Sequence, residues 1–283
     1  MMRSLITILM PLKHYHPRYL QKALHSVFRQ SDPDWRLSII VDRRDRTHFQ
    51  NLLSQDLLDD RVRLNLNEGK GLAGALNSGM RAASTEFSAI LLADDQWSHN
   101  AIAILNDHIR TFQNIDFFHS SRRYINENDE PISSVYPSRS NFRVEDFLLS
   151  SPVKHLLCWR VSKALEIGGM DESLSSHGVD DYDFPWSMAE RGAIFRSVPD
   201  CLYLYRDHRD CIRLTTHVPL TITKRILRKM MKKHHAPDAA ISAKIADAEK
   251  TYLRQCLFKS LQEKRLKEAS GFEANLGYRR EYL

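Results

Sequence analysis

Between Ser4 and Leu92 the apolar residues change period repeatedly, and that alternation constrains the fold more than any other feature of the chain. Ser4 to Met10 is a short run of β-formers stopped at Pro11, a length that suits a buried strand better than a helix. From Pro17 to Gln30, Tyr19, Leu20, Ala23, Leu24, Val27 and Phe28 recur at three- and four-residue spacing, one apolar face of a helix entered through Pro17. Trp35 to Val41 reads as a second strand, closed by Asp42 and the charged loop Arg43 to Arg46. Phe49 to Leu58 reads as a second helix and Val62 to Leu66 as a third strand. The turn Asn67-Glu68-Gly69-Lys70-Gly71 leads into a helix from Leu72 to Ala83, and Phe87 to Leu92 makes a fourth strand. Strands alternating with helices predict an α/β fold with a mainly parallel sheet covered on both faces, because right-handed crossovers lay each helix against the sheet. Ligands of such sheets gather at the carboxyl ends of the strands. The polar residues there are Lys13, His14, Asp42, Lys70, Asp94 and Asp95.

Beyond residue 98 the pattern predicts a helix at Ala101 to Phe112 and an irregular loop over the polar stretch Ser120 to Ser140. A chain of 283 residues has room for one large domain and an appendage. The division falls where the character shifts: residues 1–218, then a basic helical extension over 219–283. With 42% hydrophobic and 27% charged residues, broad disorder is excluded. The 4 cysteines, at positions 158, 201, 211 and 256, form no CxxC pair or zinc-ligand spacing, which suits a reducing compartment. The apolar run Leu5 to Leu12 is too short for a signal peptide and is followed by no small-residue cleavage site. With no segment near the roughly 20 apolar residues that cross a bilayer, the expectation is a cytoplasmic protein, at most peripheral at the inner face of a membrane. A net charge of +6 favours an acidic partner without choosing one.

Two adjacent carboxylates, Asp94 and Asp95, end the fourth strand. Two like charges side by side need a compensating cation, so they point to a hard metal ion, although a pair capping the next helix is an equal alternative. Farther on, Asp180, Asp181 and Asp183 crowd four positions before an apolar run, where one can act as a base while others position. The same cluster would also suit a helix N-terminus. His208 follows the last core strand as a single imidazole, either structural or a ligand.

Taken in order, these segments resemble a family 2 glycosyltransferase of the GT-A fold, from about Leu5 to His217. Leu5 to Pro11 with Tyr19 to Gln30 looks like the family's opening strand, proline and YLxxALxSVxxQ helix. NEGKGLAGALNSG, residues 67 to 79, looks like its donor-loop segment. Ala93-Asp94-Asp95 matches the region of its DxD motif, GGMDESL matches GGFDESL, Asp180-Asp181-Tyr182-Asp183 matches EDYD, and Tyr205-Arg206-Asp207-His208 matches YRxH. Leu92 stands where many members carry the first Asp of DxD, Arg43 where they have the second Asp of VDD, and Asp180 where Glu is usual. Lys13 and His14 replace the usual aromatic and Asn.

The resemblance implies an inverting, metal-dependent hexosyltransferase of the kind used in polysaccharide biosynthesis. It would move a sugar from a nucleotide-diphospho-sugar donor to a hydroxyl of a glycan, lipid-linked or small-molecule acceptor. Asp181 would be the catalytic base and Asp180 its neighbour in the catalytic pair. Pro11, Asp42, Lys70, Asn77, Asp94 and Asp95 would bind donor, and Asp94, Asp95 and His208 would hold Mn2+ or Mg2+. A noncatalytic GT-A scaffold binding a sugar nucleotide or a protein is the alternative. A dinucleotide oxidoreductase would need GxGxxG after the first strand, where this chain has PLKHYH. The glycine-rich opening loop of a nucleotidyltransferase is missing too. Nucleic acid is disfavoured because the basic segment Lys224 to Lys233 lacks interleaved aromatics. In that segment Ile222, Ile226, Leu227, Met230 and Met231 form an apolar stripe on a basic helix. Such a stripe either packs on the catalytic domain or a second copy of the chain, or lies on an anionic membrane.

Overall fold

The computed structural model describes residues 4–174, 179–208, 219–254 and 256. Its contacts divide the chain into two units, Met1–His217 and Val218–Leu283. The first unit is built on an 8-stranded sheet. In chain order its elements are β1 (Ile6–Leu12), α1 (Pro17–Phe28), β2 (Trp35–Asp42), α2 (Arg46–Leu52), β3 (Val62–Asn67), α3 (Gly71–Ala82), β4 (Phe87–Ile90), β5 (Gln96–Trp97), α4 (Ala101–Thr111), β6 (Phe117–Ile125), β7 (Leu157–Arg160), α5 (Val161–Glu166), α6 (Asp180–Glu190) and β8 (Phe195–Arg206). The strand order is β3-β2-β1-β4-β7-β6-β8-β5. β3, β2, β1 and β4 are mutually parallel, as the alternation predicts. Ile6, Ile8 and Met10 on one face of β1 and Thr7 and Leu9 on the other are all buried, the signature of a strand covered on both sides.

The structure corrects several expectations. β1 does not stop at Pro11 but runs through it to Leu12, in register with β2, where Pro11 lies opposite Ile40. The missing N–H is tolerated because β4 pairs with β1 only from Ile6 to Leu9, so no partner on that side asks Pro11 for a donor. The second helix begins earlier and ends earlier, as Arg46–Leu52, with a separate turn of 3-10 helix at Asp56–Leu58. The polar stretch beginning at Ser120 is not a loop at its start: β6 runs to Ile125 inside the sheet, between β7 and β8. Its serines are buried because neighbours satisfy them. Ser120 Oγ accepts from the Leu156 N–H at 3.0 Å, and Ser121 Oγ donates to the Pro199 carbonyl at 2.7 Å. Finally, β7 lies antiparallel to both β4 and β6, and β5 antiparallel to β8, so the sheet is mixed in its second half.

In the second unit, α7 (Leu220–Lys233) and a helix over 238–254 are joined by an ion pair between Lys224 and Glu249. On α7, Ile226, Leu227, Met230 and Met231 are buried, and Arg225, Arg228, Lys229, Lys232 and Lys233 are exposed. Ile222, the remaining residue of the stripe, is half-buried. Among the described residues no helix is long and apolar enough to cross a membrane.

Candidate active site

The carboxyl ends of β1, β2 and β3 converge. Asp42 closes β2, accepting a hydrogen bond from Asn67 Nδ2 at the end of β3 (3.0 Å) and pairing with Lys13 just past β1 (3.4 Å). Asn67 Oδ1 in turn accepts from the Gly69 N–H at 3.0 Å and folds the turn that starts α3. Gly74 must be glycine there, because a Cβ would fall 2.4 Å from the Gly69 carbonyl carbon. Lys70 is the N-cap residue of α3; its backbone N–H donates to Glu172 Oε2 at 2.8 Å, and the residue is exposed.

Asn77 is elsewhere engaged. It is buried on α3, its Nδ2 donates to the Met170 carbonyl at 2.9 Å and to Glu172 Oε1 at 3.2 Å, and its Oδ1 accepts from the Met170 N–H at 2.8 Å. The amide therefore clamps the Gly168 to Glu172 turn onto α3. The same clamp explains Gly169, which has φ +78° and leaves room for the amide where a Cβ would lie 2.4 Å from Asn77 Oδ1. Pro11 is held within β1.

The adjacent carboxylates after β4 part company. Asp95 is buried, and both of its oxygens accept protein hydrogen bonds, from Tyr203 Oη at 2.6 Å and from the Arg206 N–H at 2.7 Å. It ties the β4 end to β8. Asp94 is partly open, with its Oδ2 3.2 Å from His208 Nε2. His208 is buried against the Tyr19 ring at 4.8 Å, and its Nδ1 has no hydrogen-bond partner among the described residues. Behind them lies Arg206, fully buried, donating to the Asp94 and Asn126 carbonyls at 2.8 and 2.7 Å and pairing with Asp129 at 2.6 Å. Its guanidinium also sits 4.9 Å from the Tyr19 ring. Among the described residues no three His, Cys, Asp or Glu side chains converge as a metal site. Asp94 and His208 supply two ligand atoms at one point, and a small hard cation that keeps water and substrate phosphates as its other ligands fits that pair.

The second acidic cluster also divides. Asp180 and Asp183, in the first turn of α6, are buried, whereas the Asp181 side chain is half-exposed. Burial, followed by the charges of Asp181, Asp183 and Asp171, raises Asp180 to about 7, and its buried Oδ1 has no hydrogen-bond partner among the described residues. Asp181 Oδ2 lies 3.4 Å from His155 Nε2. Desolvation pulls its pKa upward, but the His155 hydrogen bond and charge, with Arg122 and Lys154, bring it below the ordinary carboxylate value. Asp181 is therefore ionised and within reach of a ligand, as a base must be. The His155 ring lies 5.2 Å from the Tyr203 ring, so Tyr203 stands between this carboxylate and Asp95.

His155, Arg122, Tyr203 and Asp129 take no part in the motifs that mark the site in the sequence, whereas Glu172 lies in the GGMDESL segment without being singled out there. Periodicity offers no signal for them, since each meets its partner only across the sheet. Residues 175–178, between the GGMDESL segment and the Asp180 cluster, lie outside the described residues.

Residues 7–158 match the family model described as Glycosyl transferase family 2. Over 141 residues the chain is 30% identical to the UDP-Glc:alpha-D-GlcNAc-diphosphoundecaprenol beta-1,3-glucosyltransferase WfgD of Escherichia coli, covering 49% of this chain and 53% of that protein. Over 103 residues it is 31% identical to the putative teichuronic acid biosynthesis glycosyltransferase TuaG of Bacillus subtilis, covering 35% of this chain and 40% of that one. The matches thus span about half the length of these relatives, or less. Among solved structures, S. aureus TarS 1-349 in complex with UDP-GlcNAc aligns with a TM-score of 0.63 at 13% identity, over 89% of this chain and 72% of that one. At that identity the likeness concerns the fold.

Proposed function

The chain belongs to glycosyl transferase family 2, and from that premise we propose that it transfers a sugar, with inversion, from a nucleotide-diphospho-sugar to an acceptor hydroxyl on a glycan, lipid-linked or small molecule. The observation that carries the reading is the separation of two kinds of carboxylate. Asp94 sits with His208 at the end of β4, whereas Asp181 is held ionised by His155 at the start of α6.

The donor nucleotide would lie over the ends of β1 to β3, where Asp42 and Lys13 present polar groups, with the diphosphate toward the N-terminus of α3 and Lys70. Asp94 and His208 would hold Mn2+ or Mg2+. A cation bound there stabilises negative charge on the departing diphosphate. Asp95 acts through the backbone: by fixing Tyr203 and the Arg206 amide it sets where Asp94 stands. Asp181 would take the proton from the acceptor hydroxyl as that oxygen attacks the anomeric carbon opposite the leaving group.

WfgD is a UDP-Glc enzyme and TarS was solved with UDP-GlcNAc, so UDP-sugars lead the test. Thermal shift is measured with UDP-, GDP-, dTDP- and CDP-sugars, with and without manganese. At least one donor should raise Tm, by more in manganese, and Asp94→Asn should remove the manganese increment. If no nucleotide sugar stabilises the protein under either condition, the transferase reading fails.

A further inference from the structure

Beside Asp181 the chain folds a pocket of about 60 Å³ whose polar lining is Arg122, Ser151, Lys154, His155 and Asp181. At roughly 10–15 Å³ for each water-sized group it admits several, the size of a phosphate or carboxylate. Two permanent cations face one carboxylate, so the lining carries net positive charge even with His155 neutral. Arg122 reaches in from β6 with its guanidinium 5.4 Å from the Tyr124 ring and 5.8 Å from the Tyr205 ring, and its NH2 group donates to Tyr124 Oη at 3.3 Å. Its Nε is buried with no hydrogen-bond partner among the described residues, and so is His155 Nδ1. A buried donor on a charged group is costly to leave unmet. Lys154 is anchored through its Nζ to the Ser151 carbonyl at 3.1 Å. Its field reaches beyond the pocket: burial first, then the Lys154 charge, lower His119 to about 4.

Neutral sugar hydroxyls are usually met by carboxylates, amides and aromatic faces, whereas a planar guanidinium beside an ammonium suits an oxyanion. The pocket contains the candidate base, so what it holds must lie next to the hydroxyl that loses its proton. We propose that this pocket is an acceptor subsite for an oxyanion, phosphate or carboxylate, borne close to the hydroxyl that receives the sugar. The inference rests on the transferase reading above and adds the charge class of the acceptor.

The test uses the full chain with its donor side filled by UDP and manganese, titrated by calorimetry or ligand-observed NMR. The probes are methyl phosphate, methyl β-D-glucuronide and the neutral methyl β-D-glucoside. One of the two anions should bind at least tenfold more tightly than the glucoside, and which one it is distinguishes a phosphorylated acceptor from a uronate. Arg122→Gln and Lys154→Gln should each weaken that anion about tenfold while leaving UDP affinity unchanged, which also shows that the variants are folded. Equal binding of anions and glucoside, no binding of any probe, or an anion preference that both variants retain would overturn the subsite with UDP binding intact. Loss of UDP binding by the wild type, by contrast, removes the transferase reading and the subsite with it.

Discussion

Replacing Arg206 with methionine should destabilise the first unit heavily, and the structure sets the scale. The side chain is 0% exposed and donates to two backbone carbonyls, those of Asp94 and Asn126, while pairing with Asp129. Methionine fills much of the volume but offers no donor, so the Asp94 carbonyl loses its Arg206 bond outright while the Asn126 carbonyl is left with the Asp129 N–H at 3.1 Å. Hydrogen bonds from a charged donor contribute about 1.5–3 kcal/mol each, and breaking one side of a buried pair costs about 3–5 kcal/mol, terms that overlap and do not add. Asp129 is 38% exposed and keeps Lys22 as a partner, which lowers its share. The net expectation is a loss of about 3–4 kcal/mol, or roughly 10 °C in Tm for a unit of this size. Arg206→Lys should recover only a small part, because a point donor cannot span three acceptors on diverging directions. Differential scanning calorimetry of the three proteins measures this directly. A methionine variant that melts within about 2 °C of wild type would show that water or local rearrangement satisfies the carbonyls, and the assignment of Arg206 as the brace behind Asp94 would be wrong.

Three further outcomes follow from the same geometry. Asp181→Asn should lower transfer by about 10²–10⁴-fold while donor affinity is kept, since it removes basicity and little else; wild-type turnover in steady-state assays would exclude Asp181 as the base. Asp180 rises from 3.8 to about 7 on folding, so the wild type loses stability as pH climbs through that window, because the unfolded chain releases a proton the folded chain retains. Asp180→Asn should therefore be increasingly stabilising from pH 4 to pH 8, by at most about 4 kcal/mol, and parallel stability curves in urea titrations would contradict the burial argument. His119, with both ring nitrogens buried and without a hydrogen-bond partner among the described residues, falls from 6.5 to about 4. The unfolded chain takes up a proton below 6.5 that the folded chain refuses, so wild-type stability drops as pH falls to 4. His119→Leu should gain on wild type by about 3 kcal/mol across that range, and a pH-independent difference in urea midpoints would refute it.

How much of this was legible in the chain depends on distance along the sequence. The four opening strands and the helices between them follow from local periodicity, because a residue's place on a strand face or helix stripe is fixed by neighbours a few positions away. Asp94, Asp181 and His208 could be picked out from their motifs, since each lies near the limit of an element that the pattern already marks. The extent of β6 was hidden: its serines read as loop residues, and only the Leu156 amide and the Pro199 carbonyl, brought alongside by β7 and the β8 edge, make them tolerable inside a sheet.

The division of labour within each acidic pair was equally invisible. Asp94 and Asp95 are chemically identical and adjacent, and nothing local says that one faces a histidine while the other is enclosed by Tyr203 and the Arg206 amide, more than a hundred positions away. Asn77 sits in a donor-loop motif, yet its amide meets Met170. His155, Arg122 and Lys154 come to Asp181 from segments with no shared pattern. The sequence by itself determined the alternation of elements and which residues end them, because those depend on short-range sterics and burial period. The tertiary structure alone decided which of those residues share a cavity, because strand order and the antiparallel insertion of β7 set every long-range distance.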